Sequence, residues 1–158
     1  LDELTQLWNV LKGDMSLVGP RPNVKRETDL YTMEELCLLE VKPGITDFAS
    51  IVFSDEGEIL KDLTDPDIAY HQLIRPGKSK LGLFYIENRG FLLDLQLVLL
   101  SLIAIVSRNA ALKKLTIIMK QLGAPEDLIV IATRTRPLLP SPPPGAEQIV
   151  ISRDGAII

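Results

Sequence analysis

Two adjacent carboxylates, Asp2 and Glu3, stand at the start of an amphipathic helical pattern. The positive end of a helix dipole lowers the pKa of a carboxylate in the first turn, and it attracts phosphate to the same place. A nucleophile and an anionic substrate would meet there, and a divalent cation such as Mg2+ would remove the repulsion between the two carboxylates. Helix stabilisation alone is the alternative, and position in the sequence leaves both interpretations open.

A second candidate for chemistry is Arg21, which lies between Pro20 and Pro22. Proline fixes its own φ and keeps the preceding residue out of the α region, so this segment is expected to be extended. The planar guanidinium group suits bidentate binding of phosphate oxygens. The alternative is a solvated arginine in a turn, because turns commonly hold charged residues.

The other polar residues are explained by structure alone. His71 is the single histidine and has no Cys or His partner at the spacing of a metal site, so a polar surface or core position is predicted. Asp62, Asp65 and Asp67 lack the ligand series of a calcium loop, and helix capping explains them. Cys37 has no second cysteine with which to form an internal disulfide.

The hydrophobic periodicity predicts the helices that position these residues. Leucines recur at helical spacing through Leu11, and Gly13 supplies a stop, so residues 2–12 are predicted to form an amphipathic helix. The segment from Thr32 to Glu35 has the pattern of a capping box, which predicts a short helix through about residue 39.

Later patterns predict further helices and short strands. Thr64 is expected to cap a helix that ends near residue 75, because Pro76 and Gly77 break it, and residues 78–89 are expected to restart as a helix. Two more helices are predicted at residues 92–107 and 112–122, and two strand-like segments at residues 45–53 and 128–132.

The end of the chain has a different composition. Residues 137–145 hold five prolines, which is typical of an extended linker. In the tail, residues 147–158, the pair Asp154 and Gly155 between apolar residues is a hairpin signal.

The overall composition limits the classes of protein. With 158 residues, 46% of them hydrophobic, the chain is long enough for one main globular unit. A formal net charge of -4 and scattered basic residues argue against nucleic-acid binding. The longest apolar run, Leu97 to Val106, is shorter than the roughly 20 residues that a membrane-spanning helix needs.

Three segments resemble one family. The string from Leu1 to Pro22, LDELTQLWNVLKGDMSLVGPRP, closely resembles the signature of bacterial sugar transferases, the monotopic polyprenol-phosphate phosphoglycosyl transferases. Residues 42–46, KPGIT, resemble the family's later turn, and the segment from Tyr85 to Asp94 resembles its closing segment. The resemblance covers about residues 1–107, loosely over residues 54–80.

The chain departs from the usual family sequence at several positions. Thr5 stands where the family usually has proline, and Asp47 stands where glycine is usual. Residues 49–51, Ala-Ser-Ile, replace the usual Ala-Gln-Val run, so that Ser50 stands in the place of glutamine. These differences concern the substrate more than the reaction, because Asp2, Glu3 and Arg21 are retained.

The resemblance implies a reaction and roles for these residues. Asp2 would attack the sugar-bearing phosphate of a nucleoside-diphosphate sugar such as a UDP-sugar, and polyprenol phosphate would then take the phosphosugar from the aspartate. Glu3 would help to hold Mg2+, and Arg21 would bind phosphate. Asp94 matches a family aspartate of importance and is grouped with the phosphate-binding residues without an assigned role. A charge at a helix N-terminus is its alternative.

The resemblance also implies an architecture and a location. We expect a mainly α fold with short β segments, in which residues 1–107 form a compact catalytic domain with interfacial helices, and residues 108–158 form an extension of unknown role. The family's membrane helix is expected before Leu1, so the chain looks truncated and its activity is left open. The expected location is the cytoplasmic face of the bacterial inner membrane. The alternative is a noncatalytic fragment or membrane-surface docking module that keeps the fold.

Overall fold

A computed structural model describes residues 2–153, apart from the side chain of Glu3. It is mainly helical with one small sheet, which confirms the predicted fold class. The elements are α1 (Asp2–Lys12), β1 (Ser16–Val18), α2 (Lys25–Thr28), a 3-10 helix (Glu35–Glu40), β2 (Gly44–Thr46), α3 (Phe48–Val52), α4 (Glu56–Leu60), α5 (Pro66–Ala69), a π-helical turn (Tyr70–Ile74), α6 (Arg75–Asn88), α7 (Phe91–Val106), α8 (Arg108–Gln121) and α9 (Glu126–Thr133). The hairpin predicted at Asp154 and Gly155 lies outside the described residues.

The first helix, α1, forms where the periodicity predicts it. It ends before Gly13, which has a φ of +85° that glycine adopts without strain. The apolar stripe of α1 is exposed rather than buried, and its members are Leu4, Leu7, Trp8 and Leu11. The amphipathic pattern therefore predicts the helix correctly, but in this structure its apolar face does not contribute to the core.

Two short parallel strands carry the chain toward Arg21. Ser16 pairs with Gly44, and Val18 pairs with Thr46. The backbones approach so closely that a Cβ atom on Gly44 would lie 2.1 Å from the amide nitrogen of Gly19. The N–H of Gly44 donates to the carbonyl of Pro20 at 3.0 Å, which fixes the segment that follows β1.

The strand predicted over residues 45–53 is correct only for its first residues, because α3 begins at Phe48. Asp47 caps this helix: its Oδ1 accepts a hydrogen bond from the N–H of Ser50 at 2.8 Å. The whole of α3 except Ser50 is buried. A continuous apolar run of this length fits either a buried helix or a buried strand, and here the cap favours the helix.

The second predicted strand, residues 128–132, is also wrong, since these residues lie in α9. Glu126 and Asp127 occupy the first turn, where acidic side chains stabilise a helix. Leu128, Ile129 and Ala132 are buried, and their spacing places them on one helical face.

The break predicted at Pro76 and Gly77 does not occur. A π-helical turn precedes α6, and Pro76 lies in the first turn of that helix, where a missing N–H is tolerated. The carbonyl of Gln72, four residues before Pro76, accepts instead from the N–H of Ser141 at 3.1 Å. Close packing explains the glycine, because a Cβ on Gly77 would lie 2.7 Å from the Phe53 ring.

The helix predicted to start at Thr64 begins one residue later than expected. Asp65, not Thr64, caps α5, and its Oδ1 accepts from the N–H of Ile68 at 3.3 Å.

The core contains residues from both sides of position 108. Phe48 of α3 contacts Phe84 of α6 with ring centroids 5.6 Å apart, and buried residues of α7, α8 and α9 pack into the same cluster. Arg108 and Arg134 both donate to the carbonyl of Val52 at the end of α3, and both form ion pairs with Asp55. The extension beyond residue 107 is therefore tied to α3.

The proline-rich stretch packs against the rest of the protein. Pro143 and Pro144 are buried, and the carbonyl of Pro144 accepts a hydrogen bond from the Thr32 hydroxyl. A little further on, the carbonyl of Val150 accepts from Nε2 of Gln72 at 2.8 Å. These contacts join the extension to the residues around the 3-10 helix and to the π-helical turn.

Substitution of Gly44 by alanine tests the close approach of β1 and β2. The added Cβ would overlap backbone atoms of Val18 and Gly19, which cannot move away as a flexible side chain would. We expect the free energy of unfolding to fall by at least about 3 kcal/mol, measured by urea denaturation followed by circular dichroism. Gly57→Ala is the matched control: no atom lies within 4 Å of its added Cβ, and alanine favours the helix by up to about 1 kcal/mol. Equal stability of the two variants would contradict this packing.

Candidate functional site

A cavity of about 190 Å³ lies beside the segment that follows β1. Its walls come from that segment, the 3-10 helix region, the start of α3, the π-helical turn and the start of α6. Its polar and charged lining residues are Arg21, Asn23, Glu27, Tyr31, Asp47, Ser50, Tyr70, His71, Arg75, Lys78 and Ser79. Charged groups of both signs therefore face one small space, which makes it the candidate site.

Arg21 lines this cavity and is exposed, between the buried Pro20 and the exposed Pro22. Among the side chains that the structure describes, it has no hydrogen-bond or ion-pair partner. Its guanidinium group is therefore available for an anion, and the flanking prolines restrict the backbone that carries it.

The other cations that line the cavity are paired. Arg75 forms an ion pair with Glu35, and Lys78 contacts Oε2 of Glu56 at 2.5 Å. Nζ of Lys78 also lies 5.4 Å from the centroid of the Tyr70 ring, where a cation–π contact is favourable. Of the described arginines and lysines that line this cavity, Arg21 is thus the one without an ion-pair partner.

The ion pair between Glu35 and Arg75 is buried, with side-chain exposures of 0% and 4%. Nε of Arg75 donates to Oε1 of Glu35 at 2.9 Å, and Nη2 donates to Oε2 at 2.5 Å. Two parallel bonds of this kind are the strongest arrangement for an arginine and a carboxylate. The pair joins the 3-10 helix to α6 across one wall of the cavity.

Additional hydrogen bonds satisfy the rest of this pair. The Glu35 carboxylate also accepts from the Ser79 hydroxyl at 2.7 Å and from the N–H of Thr32 at 2.9 Å. The N–H of Glu35 donates to the Thr32 hydroxyl at 3.2 Å, which confirms the predicted capping box. Nη2 of Arg75 donates to the carbonyl of Leu30 at 2.7 Å.

His71 is buried in the wall next to Arg75, in agreement with its predicted structural position. Its Nδ1 lies 3.3 Å from Nη1 of Arg75. Burial lowers the pKa of this imidazole, and the neighbouring positive charge of Arg75 lowers it further. The neutral ring can then accept a hydrogen bond from the guanidinium group.

Asp47 is the buried acid of the cavity, with an exposure of 2%. Burial raises the pKa of its carboxyl group, and the hydrogen bonds from Ser50 act in the opposite direction. Because the folded protein holds this proton more tightly than the unfolded chain does, Asp47 destabilises the fold as the pH rises from the ordinary pKa through the raised one. Asp47 is therefore both the cap of α3 and a buried acid that lines the cavity.

Asp2 is the first described residue of α1, and its side chain is exposed. It does not line the cavity, and among the described side chains it has no hydrogen-bond or ion-pair partner. With a rise of about 1.5 Å per residue, it lies about 15 Å along the helix from Lys12, the end of α1 nearest to β1. The side chain of Glu3 lies outside what the structure describes.

Asp94 lies in the first turn of α7 and accepts a hydrogen bond from the Tyr85 hydroxyl at 2.7 Å. The same hydroxyl lies 3.4 Å from the carbonyl of Val18 at the end of β1. Asp94 does not line the cavity. In this structure it positions the start of α7 against α6, and its grouping with the phosphate-binding residues stays a prediction.

The carboxylates near the start of α1 would suit Mg2+ only if substrate phosphates and water completed its coordination. Among the described side chains, which do not include that of Glu3, no group of three or more metal-binding residues comes together. Mg2+ commonly takes one or two carboxylates and completes its coordination with substrate phosphates and water. The exposed carboxylate of Asp2 and the adjacent Glu3 are consistent with that mode by their chemistry.

For several residues that line or support the cavity, nothing in the sequence indicates that they lie there. Glu35 and Arg75 are 40 residues apart, and only the capping role of Glu35 has a local pattern. Asp47 and Ser50 could have been found, since both are departures from the usual family sequence that lie three residues apart, the spacing of a cap and its helix.

Exposed apolar side chains are concentrated on two helices. Besides the stripe on α1, helix α7 exposes Phe91, Leu92, Leu95, Leu99, Leu102, Ile105 and Val106. None of the helices in the described part of the chain has the length and hydropathy needed to cross a bilayer.

Comparison with known proteins identifies relatives. A sequence model described as "Bacterial sugar transferase" matches residues 1–108. EpsL of Bacillus subtilis, an uncharacterized sugar transferase, is 40% identical over 101 residues, which cover 64% of this chain and 42% of that protein. The undecaprenyl-phosphate galactose phosphotransferase of Salmonella typhimurium is 61% identical over 46 residues, 29% of this chain and 10% of that protein.

A third relative is the UDP-glucose:undecaprenyl-phosphate glucose-1-phosphate transferase of Caulobacter vibrioides, 39% identical over 79 residues, which cover 46% of this chain and 30% of that protein. The chain thus spans less than half the length of each of these relatives. No solved structure matches it significantly.

Substitution of Glu35 by glutamine tests the buried ion pair. The variant leaves Arg75 buried without a counter-charge, so we expect the free energy of unfolding to fall by about 3–5 kcal/mol in urea denaturation. Asp29→Asn is the control, because it removes one partner of the exposed pair with Lys25, which contributes about 0–1 kcal/mol. Similar losses in the two variants would show that the buried pair does not hold the cavity wall.

Proposed function

Because this chain belongs to the bacterial sugar transferase family, we propose that it transfers a sugar 1-phosphate from a nucleoside-diphosphate sugar to polyprenol phosphate. The product would begin the assembly of an exopolysaccharide, O-antigen or glycan. The single observation that carries the proposal is Arg21, an arginine without a described partner that lines a cavity and is held between two prolines. An available guanidinium group beside an enclosed space suits the phosphate of such a donor.

In the proposed first step, the Asp2 carboxylate attacks the phosphorus atom that carries the sugar. The bond from that phosphorus to the bridging oxygen breaks, and the nucleoside monophosphate leaves with the electron pair. Arg21 binds the phosphate oxygens and stabilises the charge that develops on them. A phosphosugar-aspartyl intermediate results, and attack by polyprenol phosphate on its phosphorus restores the Asp2 carboxylate.

Mg2+, when bound by Glu3 with Asp2 and the diphosphate, would neutralise charge on the leaving group. The position of Asp2 supports its role, because an exposed carboxylate without a described partner at a helix N-terminus is accessible to substrate.

The exposed apolar faces support a location at a membrane surface. Leu92, Leu95, Leu99 and Leu102 follow helical spacing along α7, so they lie along one side of the helix. Burial of each such side chain in the acyl boundary would contribute about 1.5–3 kcal/mol. We place the protein at the cytoplasmic face of the bacterial inner membrane, where nucleotide sugars and the lipid carrier would meet.

The same apolar faces also suit the second candidate function, a noncatalytic module that docks on the membrane surface. Such a module would bind vesicles and would release no nucleotide. The two functions therefore predict the same membrane binding and different chemistry.

Trapping of the intermediate tests the catalytic role of Asp2. The protein, expressed from its full gene, is incubated with Mg2+ and UDP-sugars in the absence of acceptor, and its intact mass is measured. We expect a gain equal to one sugar phosphate and a stoichiometric release of UMP, followed by multiple turnovers when polyprenol phosphate is added. Asp2→Asn should lose both signals, while Asp14→Asn, an exposed aspartate beyond α1, should keep them. The enzymatic proposal would be refuted if, across a broad panel of UDP-sugars, the protein released no more UMP than Asp2→Asn does.

Vesicle flotation tests the membrane location. We expect the protein to float with vesicles of phosphatidylethanolamine and phosphatidylglycerol, and the double variant Leu99→Glu and Leu102→Glu to bind at least about tenfold more weakly. Lys113→Glu, on the exposed face of α8, lowers the net charge by two, as the double variant does, but outside the apolar face, and it serves as the control. Equal binding by the double variant and the control would exclude α7 as the membrane contact.

A further inference from the structure

Asp47 uses only one of its two carboxylate oxygens within the protein. Its Oδ1 accepts from the N–H of Ser50 at 2.8 Å and from the Ser50 hydroxyl at 2.7 Å. Its Oδ2 has no hydrogen-bond partner among the described residues. The side chain is 2% exposed and lines the cavity. Because so little of Asp47 is exposed and the residue lines the cavity, a donor for Oδ2 would have to come from a group inside that cavity.

The cavity brings this acceptor together with the cationic group that suits a phosphate. Arg21 and Asp47 line the same space, and the positive charge of Arg21 acts on the Asp47 carboxyl group. Pockets that enclose whole drug-sized ligands usually measure about 300–1,000 Å³, whereas this cavity measures about 190 Å³. It therefore suits one small polar group attached to a phosphate, and it is too small for a whole nucleotide sugar.

We propose that Oδ2 of Asp47 accepts a hydrogen bond from a hydroxyl group of the sugar in the donor substrate and thereby selects which sugar is transferred. This inference rests on the proposed function, because the sugar would enter the cavity through the phosphate bound at Arg21. When Asp47 is ionised, its Oδ2 only accepts hydrogen bonds, so it distinguishes a hydroxyl at the correct position from a missing or inverted one. Ser50 holds the carboxylate in place through Oδ1.

The competing explanation is that Asp47 serves only as the cap of α3. Asp65 provides a direct comparison, since its Oδ1 also caps a helix, through the N–H of Ile68, and it does not line the cavity. An acid that only caps a helix can be replaced by asparagine with little effect, because the two residues are equally good caps.

The test is the pair of variants Asp47→Asn and Asp65→Asn, each made in the full-length protein. Asparagine keeps the size and the cap, and it can present an N–H donor in place of Oδ2. Titration calorimetry measures the affinity for UDP-glucose, UDP-galactose, UDP-N-acetylglucosamine and the monodeoxy derivatives of the preferred sugar. The Asp2→Asn background and the absence of acceptor prevent turnover, and thermal unfolding verifies that both variants fold.

We expect Asp47→Asn to bind the preferred UDP-sugar at least about tenfold more weakly and to lose the preference among sugars, while Asp65→Asn is unchanged. In the protein that retains Asp47, one deoxy derivative should bind more weakly than the complete UDP-sugar by a similar factor. In Asp47→Asn, that derivative and the complete UDP-sugar should bind with equal affinity, which identifies the hydroxyl that Asp47 contacts.

The outcomes separate this inference from the proposed function. Unchanged sugar preference in Asp47→Asn overturns the role of Asp47, even if the enzyme turns over normally. If the loss of donor affinity in Asp47→Asn depends on the ribose hydroxyls, as measured with 2′-deoxyuridine donors, the assignment of Asp47 to the transferred sugar is overturned. Sugar preference in binding that depends on Asp47, in a protein that releases no UMP, supports the hydrogen bond from Asp47 to the sugar and refutes the transfer reaction. Absence of donor binding by the parent protein overturns both.

Discussion

The buried ion pair between Glu35 and Arg75 is the interaction on which the cavity depends. It joins the 3-10 helix to α6 and is removed from water, so the large cost of desolvating two charges must be offset inside the protein. The two parallel bonds from Arg75 and the additional donors Ser79 and Thr32 provide that compensation. Loss of Glu35 or Arg75 would leave the other charge uncompensated. The cavity wall that carries His71 and Tyr31 would then no longer be held in position. Arg75 is committed to this pair, whereas Arg21, which lines the same cavity, has no hydrogen-bond or ion-pair partner among the described side chains.

The extension beyond residue 107 supports the same walls from behind. Pro76 cannot donate a hydrogen bond to Gln72, and the backbone of Ser141 takes its place. The side chain of Gln72 then donates to the carbonyl of Val150, so the π-helical turn is held at two points by the extension. π-helical turns are often found at functional sites, where an irregular backbone presents side chains that a regular helix would turn away. The family resemblance ends near residue 107, whereas the physical unit that shapes the cavity does not.

The sequence predicted local features better than distant contacts. The helix over residues 2–12, the capping box at Thr32 and the apolar helix α7 all depend on neighbours within one or two turns, and all are present. The errors at residues 45–53 and 128–132 concern short apolar runs, for which periodicity cannot distinguish a buried helix from a buried strand. The ion pair between Glu35 and Arg75 could not be predicted, because nothing local joins residues so far apart. The resemblance, not the spacing of residues, singled out Asp2 and Arg21 for their proposed roles.

The proposed reaction places one further demand on the structure, which is that Asp2 and Arg21 act on the same phosphate. Arg21 is fixed by its prolines and by the contact of β2 with Pro20, whereas α1 leaves its apolar stripe exposed. Burial of Leu4, Trp8 and Leu11 would contribute about 1.5–3 kcal/mol for each side chain, more than a single surface contact supplies. Whatever covers this stripe therefore sets the position of α1, and with it the distance from the nucleophile to the phosphate. A membrane surface or a preceding apolar segment would supply that cover, so catalysis and membrane attachment would be linked through one helix.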